Sequence, residues 1–168
     1  MADDFLGTLG SIVGIGVGAI ELQLIKNHFV AGETVHGRVK LALTRSTEAK
    51  RLMVGLRGTR ERVTVVRDSR GQRSQRRESE TVYEFEQQLD GKRNYQTDAY
   101  DLHLPIPIDA VAPAAKLPDG TLGDVLRVAS SLLDVGPRPV VWHLYAYLDI
   151  PWKANVKQQL QISVAPAR

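Results

Sequence analysis

From residue 18 onward, apolar and polar side chains alternate with a period of two along most of the chain. Ile20, Leu22 and Leu24 alternate with Glu21 and Gln23, and Val35, Gly37, Val39, Leu41 and Leu43 alternate with His36, Arg38, Lys40 and Ala42. Leu52, Val54 and Leu56 then stand against Arg51, Met53 and Arg57. Successive side chains of a strand point to opposite faces, so each stretch predicts a strand with one face on a core and the other toward water. The same pattern predicts strands over 60–66 and from Thr81, where Tyr83, Phe85 and Leu89 face away from Glu84, Glu86 and Gln88. Tyr100, Leu102, Leu104 and Ile106 predict another. Pro105 and Pro107 have no N–H to give to a ladder, so that strand lies at an edge or ends at Pro105. Residues 140–150 (VVWHLYAYLDI) are apolar on both parities and predict a central strand covered on both faces. Val156, Leu160, Ile162 and Val164, opposite Lys157, Gln159, Gln161 and Ser163, close the series.

Two segments follow a helical period. Leu122, Val125, Leu126, Ala129, Leu132 and Leu133 recur at i, i+3, i+4, i+7, i+10 and i+11, predicting an inserted helix over about 119–135 that Gly136 and Pro137 end. In the N-terminal arm, residues 1–17, Phe5, Leu9, Ile12 and Val13 share one helical face and predict a short amphipathic helix. Gly7, Gly10 and Gly14 weaken it by up to ~1 kcal/mol each relative to Ala. The apolar stretch 5–20 is shorter than the ~20 residues a membrane-crossing helix needs. Asp3 and Asp4 stand where a secretory signal carries Lys or Arg. Phe5, Leu9, Ile12 and Val13 are therefore candidates for docking on their own domain, for self-association into a homo-oligomer, or for contact with a membrane surface. The expectation is an all-β fold: one sandwich domain over residues 18–168, of eight or nine strands, with one helical insertion.

Composition narrows the chemistry. The chain has 168 residues and no cysteine, which excludes disulfides, thiolate zinc sites and cysteine nucleophiles and makes the cytoplasm the expected location. The net charge is only +3, but residues 57–77 hold eight arginines and two acids, Glu61 and Asp68, for a local +6. The basic character is thus one local feature, made entirely of arginine.

Catalytic candidates are few. His28, His36, His103 and His143 show no metal-ligand spacing, although His103 and His143 lie in strands that can bring them onto one sheet face. Glu84 and Glu86 share a strand face, as paired carboxylates for acid–base work would, but so do Val82 and Gln88, the mark of a solvated face. No nucleophile elbow, P-loop or dinucleotide fingerprint is present. The expectation is a non-catalytic protein with no cofactor and no metal, its rival a metal-dependent hydrolase built on His103, His143 and the Glu84/Glu86 face.

Val30-Ala31-Gly32-Glu33-Thr34-Val35-His36-Gly37-Arg38-Val39 resembles the "PGE-x-V-x-G-x-V" opening of arrestin-like N-terminal domains. Leu52 to Gly58, Tyr83-Glu84-Phe85, Tyr100 to Pro107 and Val141 to Asp149 follow in the family's order over about residues 20–164. The glycine-rich entry Gly14 to Ala19 is similar to the start of bacterial sporulation-control proteins of that clan. Ala31 replaces the family's usual proline, and the chain holds one sandwich where many members have two. The resemblance implies an immunoglobulin-like β-sandwich and an intracellular adaptor or scaffold that binds proteins without a catalytic centre.

The most distinctive feature is the segment Asp68 to Glu80 (DSRGQRSQRRESE), which has no apolar residue and predicts a long loop at a hairpin tip. In arrestin-like domains this connection is the loop that probes a receptor or cargo. Arg67, Arg70, Arg73, Arg76 and Arg77 are the candidate partner-binding residues, because guanidinium forks pair bidentately with carboxylate and phosphate. An acidic or phosphorylated protein segment is one reading. Nucleic acid is another, without an aromatic among the arginines for base stacking. A solvated loop that keeps the hairpin from aggregating is the third.

Overall fold

The computed structural model describes residues 16–67, 69–111 and 138–167, together with the backbone of 11–13. Among the described residues every regular element is a strand. In chain order they are β1 (Ser11–Val13), β2 (Gly18–Leu24), β3 (His28–Val30), β4 (Thr34–Ala49), β5 (Arg51–Arg67), β6 (Arg73–Asp90), β7 (Arg93–Pro105), β8 (Val141–Asp149) and β9 (Val156–Ala165). They form a three-stranded sheet in the order β2-β4-β7 and a six-stranded sheet in the order β1-β9-β8-β5-β6, with β3 also paired to β9. The expected helix at 119–135 lies outside the described residues.

Alternation in the sequence becomes a two-layer core. Ile20, Leu22, Val35, Val39, Leu41, Leu102 and Leu104 of the small sheet meet Leu52, Val54, Leu56, Trp142, Leu144, Leu148 and Leu160 of the large one, all buried. One polar side chain joins this interior. Gln158 shares the inward parity of Val156 and Leu160, and its amide oxygen accepts the backbone N–H of Leu22, satisfying a donor on the β2 edge from across the layers.

The turn before β4 explains the G-E-x-V-x-G stretch without reference to any partner. Gly32 has φ +92°, a left-handed conformation that side chains resist. The Glu33 carboxylate accepts the Val30 N–H at 2.9 Å and the Lys26 ammonium at 2.9 Å, and these two donors, the lysine first, hold its pKa below the usual carboxylate value. Val35 then enters the core. Pro105 ends β7, and β7 is an edge strand, so both outcomes expected of that proline are realised.

Three expectations are corrected. The N-terminal helix does not extend through residues 11–13: the backbone there is extended and pairs antiparallel with β9, Ile12 opposite Gln158 and Val13 opposite Lys157. An open β9 edge offers these residues ladder hydrogen bonds where glycines weaken a helix. Residues 1–10, with Phe5 and Leu9, lie outside the described residues. Second, β8 is central but covered on one side only. Trp142, Leu144, Ala146 and Leu148 are buried, while His143, Tyr145 and Tyr147 are half-buried on the outer face, their apolar rings having made an amphipathic strand read as uniformly apolar.

The third correction is the largest. β8 begins opposite Thr59, but β5 and β6 continue past it as a two-stranded ribbon to the Arg67/Arg73 pair, so of the described residues of the expected loop only 69–72 lie outside the ladder. A ladder needs backbone partners, not apolar side chains. Arg62 faces Glu78 and Arg60 faces Glu80 across it.

Candidate functional site

A bulge between Gly58 and Thr59 resets the β5–β6 register, and beyond it the residues pair without interruption. Cross-strand partners share a face, so the ribbon has two distinct sides. On one stand Arg67 opposite Arg73, Val65 opposite Gln75, Val63 opposite Arg77 and Glu61 opposite Ser79. On the other stand Val66 opposite Ser74, Thr64 opposite Arg76, Arg62 opposite Glu78 and Arg60 opposite Glu80. The second side is close to charge balance, and Arg76 lies 3.3 Å from Glu78. The first carries Arg67, Arg73 and Arg77, which form no ion pair with any described residue. Its single acid, Glu61, is taken by Arg138 at 2.7 Å.

The five candidate arginines are thereby divided. Arg67, Arg73 and Arg77 converge on one face, around the 57% exposed Val65. Arg76 belongs to the other face, and Arg70 lies in the turn with Gly71. Like charges directly opposite on a ladder destabilise it, so the Arg67/Arg73 pair works against the hairpin that presents it.

A second polar surface lies on the outer face of the large sheet, a groove of about 1090 Å³ whose lining includes Arg57, Glu86, His143, Tyr145 and Tyr147. Gly55 makes room for it: a Cβ there would lie 2.4 Å from the Tyr145 ring. Arg57 donates to Glu84 at 2.9 and 2.5 Å and sits over the Tyr145 ring, 5.0 Å from its centre. The Tyr145 hydroxyl donates to Glu86 at 2.9 Å, and Tyr147 reaches the other Glu86 oxygen at 3.4 Å. Arg57 holds the Glu84 carboxyl below its ordinary pKa, and burial followed by Glu86 pushes the Tyr145 hydroxyl up. Burial, then the Arg57 charge, lowers the His143 pKa and favours the neutral ring. Glu84 and Glu86 are thus anchors for an arginine and two tyrosines.

His103 and His143 do not meet. His143 is on the outer face of the large sheet, whereas His103 pairs across the small sheet with His36, their Nδ1 atoms 2.9 Å apart on an exposed face. Among the described residues there is no cluster of three or more His, Asp or Glu arranged to hold a metal ion. Sequence reasoning missed the His36 pairing, which depends on the β4–β7 register, and the tyrosine groove, whose signal was Tyr145 and Tyr147 on the same parity as His143. No described helix is long and apolar enough to cross a membrane.

No protein-family model matches the chain, and no curated protein matches it. Among solved structures it is similar to the crystal structure of Spo0M, a sporulation control protein from Bacillus subtilis, with a TM-score of 0.59 and 17% sequence identity. The match covers 91% of this chain and 51% of the other, so the chain spans about half the length of that protein. The expected arrestin-like sandwich is supported at the level of fold: this chain shares the architecture of a sporulation control protein over most of its own length, and at such identity the likeness is one of fold alone.

Proposed function

We propose that the protein is a non-catalytic, cytoplasmic adaptor-type module that captures an acidic or phosphorylated segment of a protein partner on one face of its ribbon. The observation that carries this reading is the unpaired Arg67/Arg73 cross-strand pair, with Arg77 on the same face and exposed Val65 between them. Opposed guanidinium groups cost the hairpin stability when empty and converge on an anion when one is bound. The valine adds an apolar contact that a phosphodiester backbone does not require, which favours a peptide over nucleic acid.

The test is fluorescence anisotropy with three probes: an acidic serine-phosphorylated peptide, its unphosphorylated form and duplex DNA. At physiological salt the phosphopeptide should bind more tightly than DNA. Replacing Arg67, Arg73 and Arg77 together by Gln should weaken peptide binding at least tenfold. Replacing Arg62 and Arg76 should change it by less than about threefold, each charge being screened beyond ~8 Å. Equal losses from both variants, or preferential retention of DNA, would overturn the proposal.

A further inference from the structure

The chain has two tryptophans, and their surroundings are opposite. Trp142 on β8 is 1% exposed in the core, whereas Trp152, in the turn between β8 and β9, is 102% exposed. Trp152 is also strained. Ile150 accepts the Lys153 N–H at 3.4 Å to close a four-residue turn, Pro151 occupies its second position, and Trp152 occupies the third with φ +60°. That place in such a turn favours glycine or asparagine. Among the described residues no other side chain-bearing residue has a positive φ. The fold gains neither burial nor a relaxed backbone from tryptophan here.

The surroundings indicate what does. Trp152 and Lys153 share a groove of about 440 Å³ with Arg45, Ser46, Thr47 and Glu48. Lys50 is adjacent, its N–H bonded to the Asp149 carbonyl. Glu48 is paired with Lys92 at 3.2 Å, and Asp149 with Arg51 at 3.3 Å. The side chains of Arg45, Lys50 and Lys153 have no partner among the described residues. The tip therefore presents one exposed indole and three uncompensated cations.

From this juxtaposition we propose that the β8–β9 turn is a docking site for an anionic lipid bilayer, with the Trp152 indole in the headgroup region and Arg45, Lys50 and Lys153 against anionic headgroups. Indole favours the membrane–water boundary, where its ring is in apolar surroundings and its N–H is wet. Basic side chains close to an anionic leaflet are attracted to it. A protein surface fits less well. Trp152 is a single fully exposed apolar side chain, and among the described residues no other exposed large hydrophobic shares this end: Ile25, Val30 and Ile108 flank the start of β4, and the rest lie on β5 and β6 from Phe85 outward. A bilayer needs no matching pocket.

Buried Trp142 makes Trp152 its own reporter. On addition of vesicles of equal parts phosphatidylcholine and phosphatidylserine, the red emission of exposed Trp152 should shift to the blue and become quenchable by brominated lipid, with little change on phosphatidylcholine alone. In co-sedimentation, Trp152→Asn should lose most of the binding while keeping or raising Tm, since asparagine suits the turn. Replacing Arg45, Lys50 and Lys153 by Gln should weaken binding about a hundredfold, from roughly fivefold per basic residue. Absence of vesicle binding would overturn the proposal, as would full binding by Trp152→Asn. A blue shift that grows with protein concentration without lipid would overturn it in favour of contact with a second copy.

Discussion

The two ends of β5 are built on different principles. Near Arg51 the strand lies between β6 and β8, and Leu52, Val54 and Leu56 are sealed against the small sheet. Beyond Thr59 it has, among the described residues, a single neighbour and no second layer, and its side chains are half-buried or exposed. The first half is held by burial and the second mainly by its ladder, with exposed ion pairs such as Arg138–Glu61. Consequently the first half tolerates little change in side chain, and the second is free to vary and to display charge. That freedom is what a recognition surface needs.

The comparison breaks most visibly on truncation. Leu56→Ala, in the packed half, should cost roughly 2–5 kcal/mol, whereas Val65→Ala on the ribbon should stay within about 0.5 kcal/mol, both read by chemical denaturation. Equal costs would mean that the ribbon is packed against something in solution. Next in size, Gly55→Ala forces a methyl group into the Tyr145 ring and should cost about 1–3 kcal/mol, with altered tyrosine absorbance as the groove opens. An unchanged protein would show that the groove's aromatic wall is free to move.

On the ribbon the expected sign reverses. Arg73→Glu places opposite charges across the ladder at Arg67 and should raise stability by about 0.2–1 kcal/mol while abolishing capture of the phosphopeptide. A variant that is destabilised, or that still binds, would remove the argument that the like-charge pair is kept for a ligand.

The smallest effect is a difference in pH slopes belonging to the packed half. With the folded-state pKa of His143 below its ordinary value, both states are neutral at high pH and the residue contributes no pH dependence. As pH falls from about 7.5 toward 5, the unfolded chain takes up this proton near its usual ~6.5 while the folded chain resists, so stability is lost. His143→Gln should flatten that part of the Tm-against-pH curve. Parallel curves for the two proteins would place the pH dependence elsewhere.

Much of the sandwich was legible because its strands have one wet and one dry face. β2, β4, β7 and β9 follow their alternation, and the end of β7 follows from Pro105. The ribbon was not legible, since residues 68–80 contain no apolar position and alternation has nothing to mark there. The arginines themselves could be read from the sequence, but not their division between two faces. That depends on the bulge after Gly58, which decides which residue of β6 stands opposite Arg67. Nothing in the sequence pattern marks Trp152, because strain and exposure are properties of the folded chain.

Among the described strands β9 is the last to be synthesised, and it is an interior strand of the large sheet, with β8 on one side and β1 and β3 on the other. Its Gln158 also satisfies Leu22 in the opposite layer. At about 5–20 residues per second, roughly ten seconds separate the emergence of β3 from that of β9. Until β9 clears the ribosome, β1 and β3 have no ladder to join and one hydrogen-bonding edge of β8 stays open. The nascent chain therefore stays aggregation-prone until β9 emerges, and closure of the large sheet is a late, concerted event that invites chaperone protection.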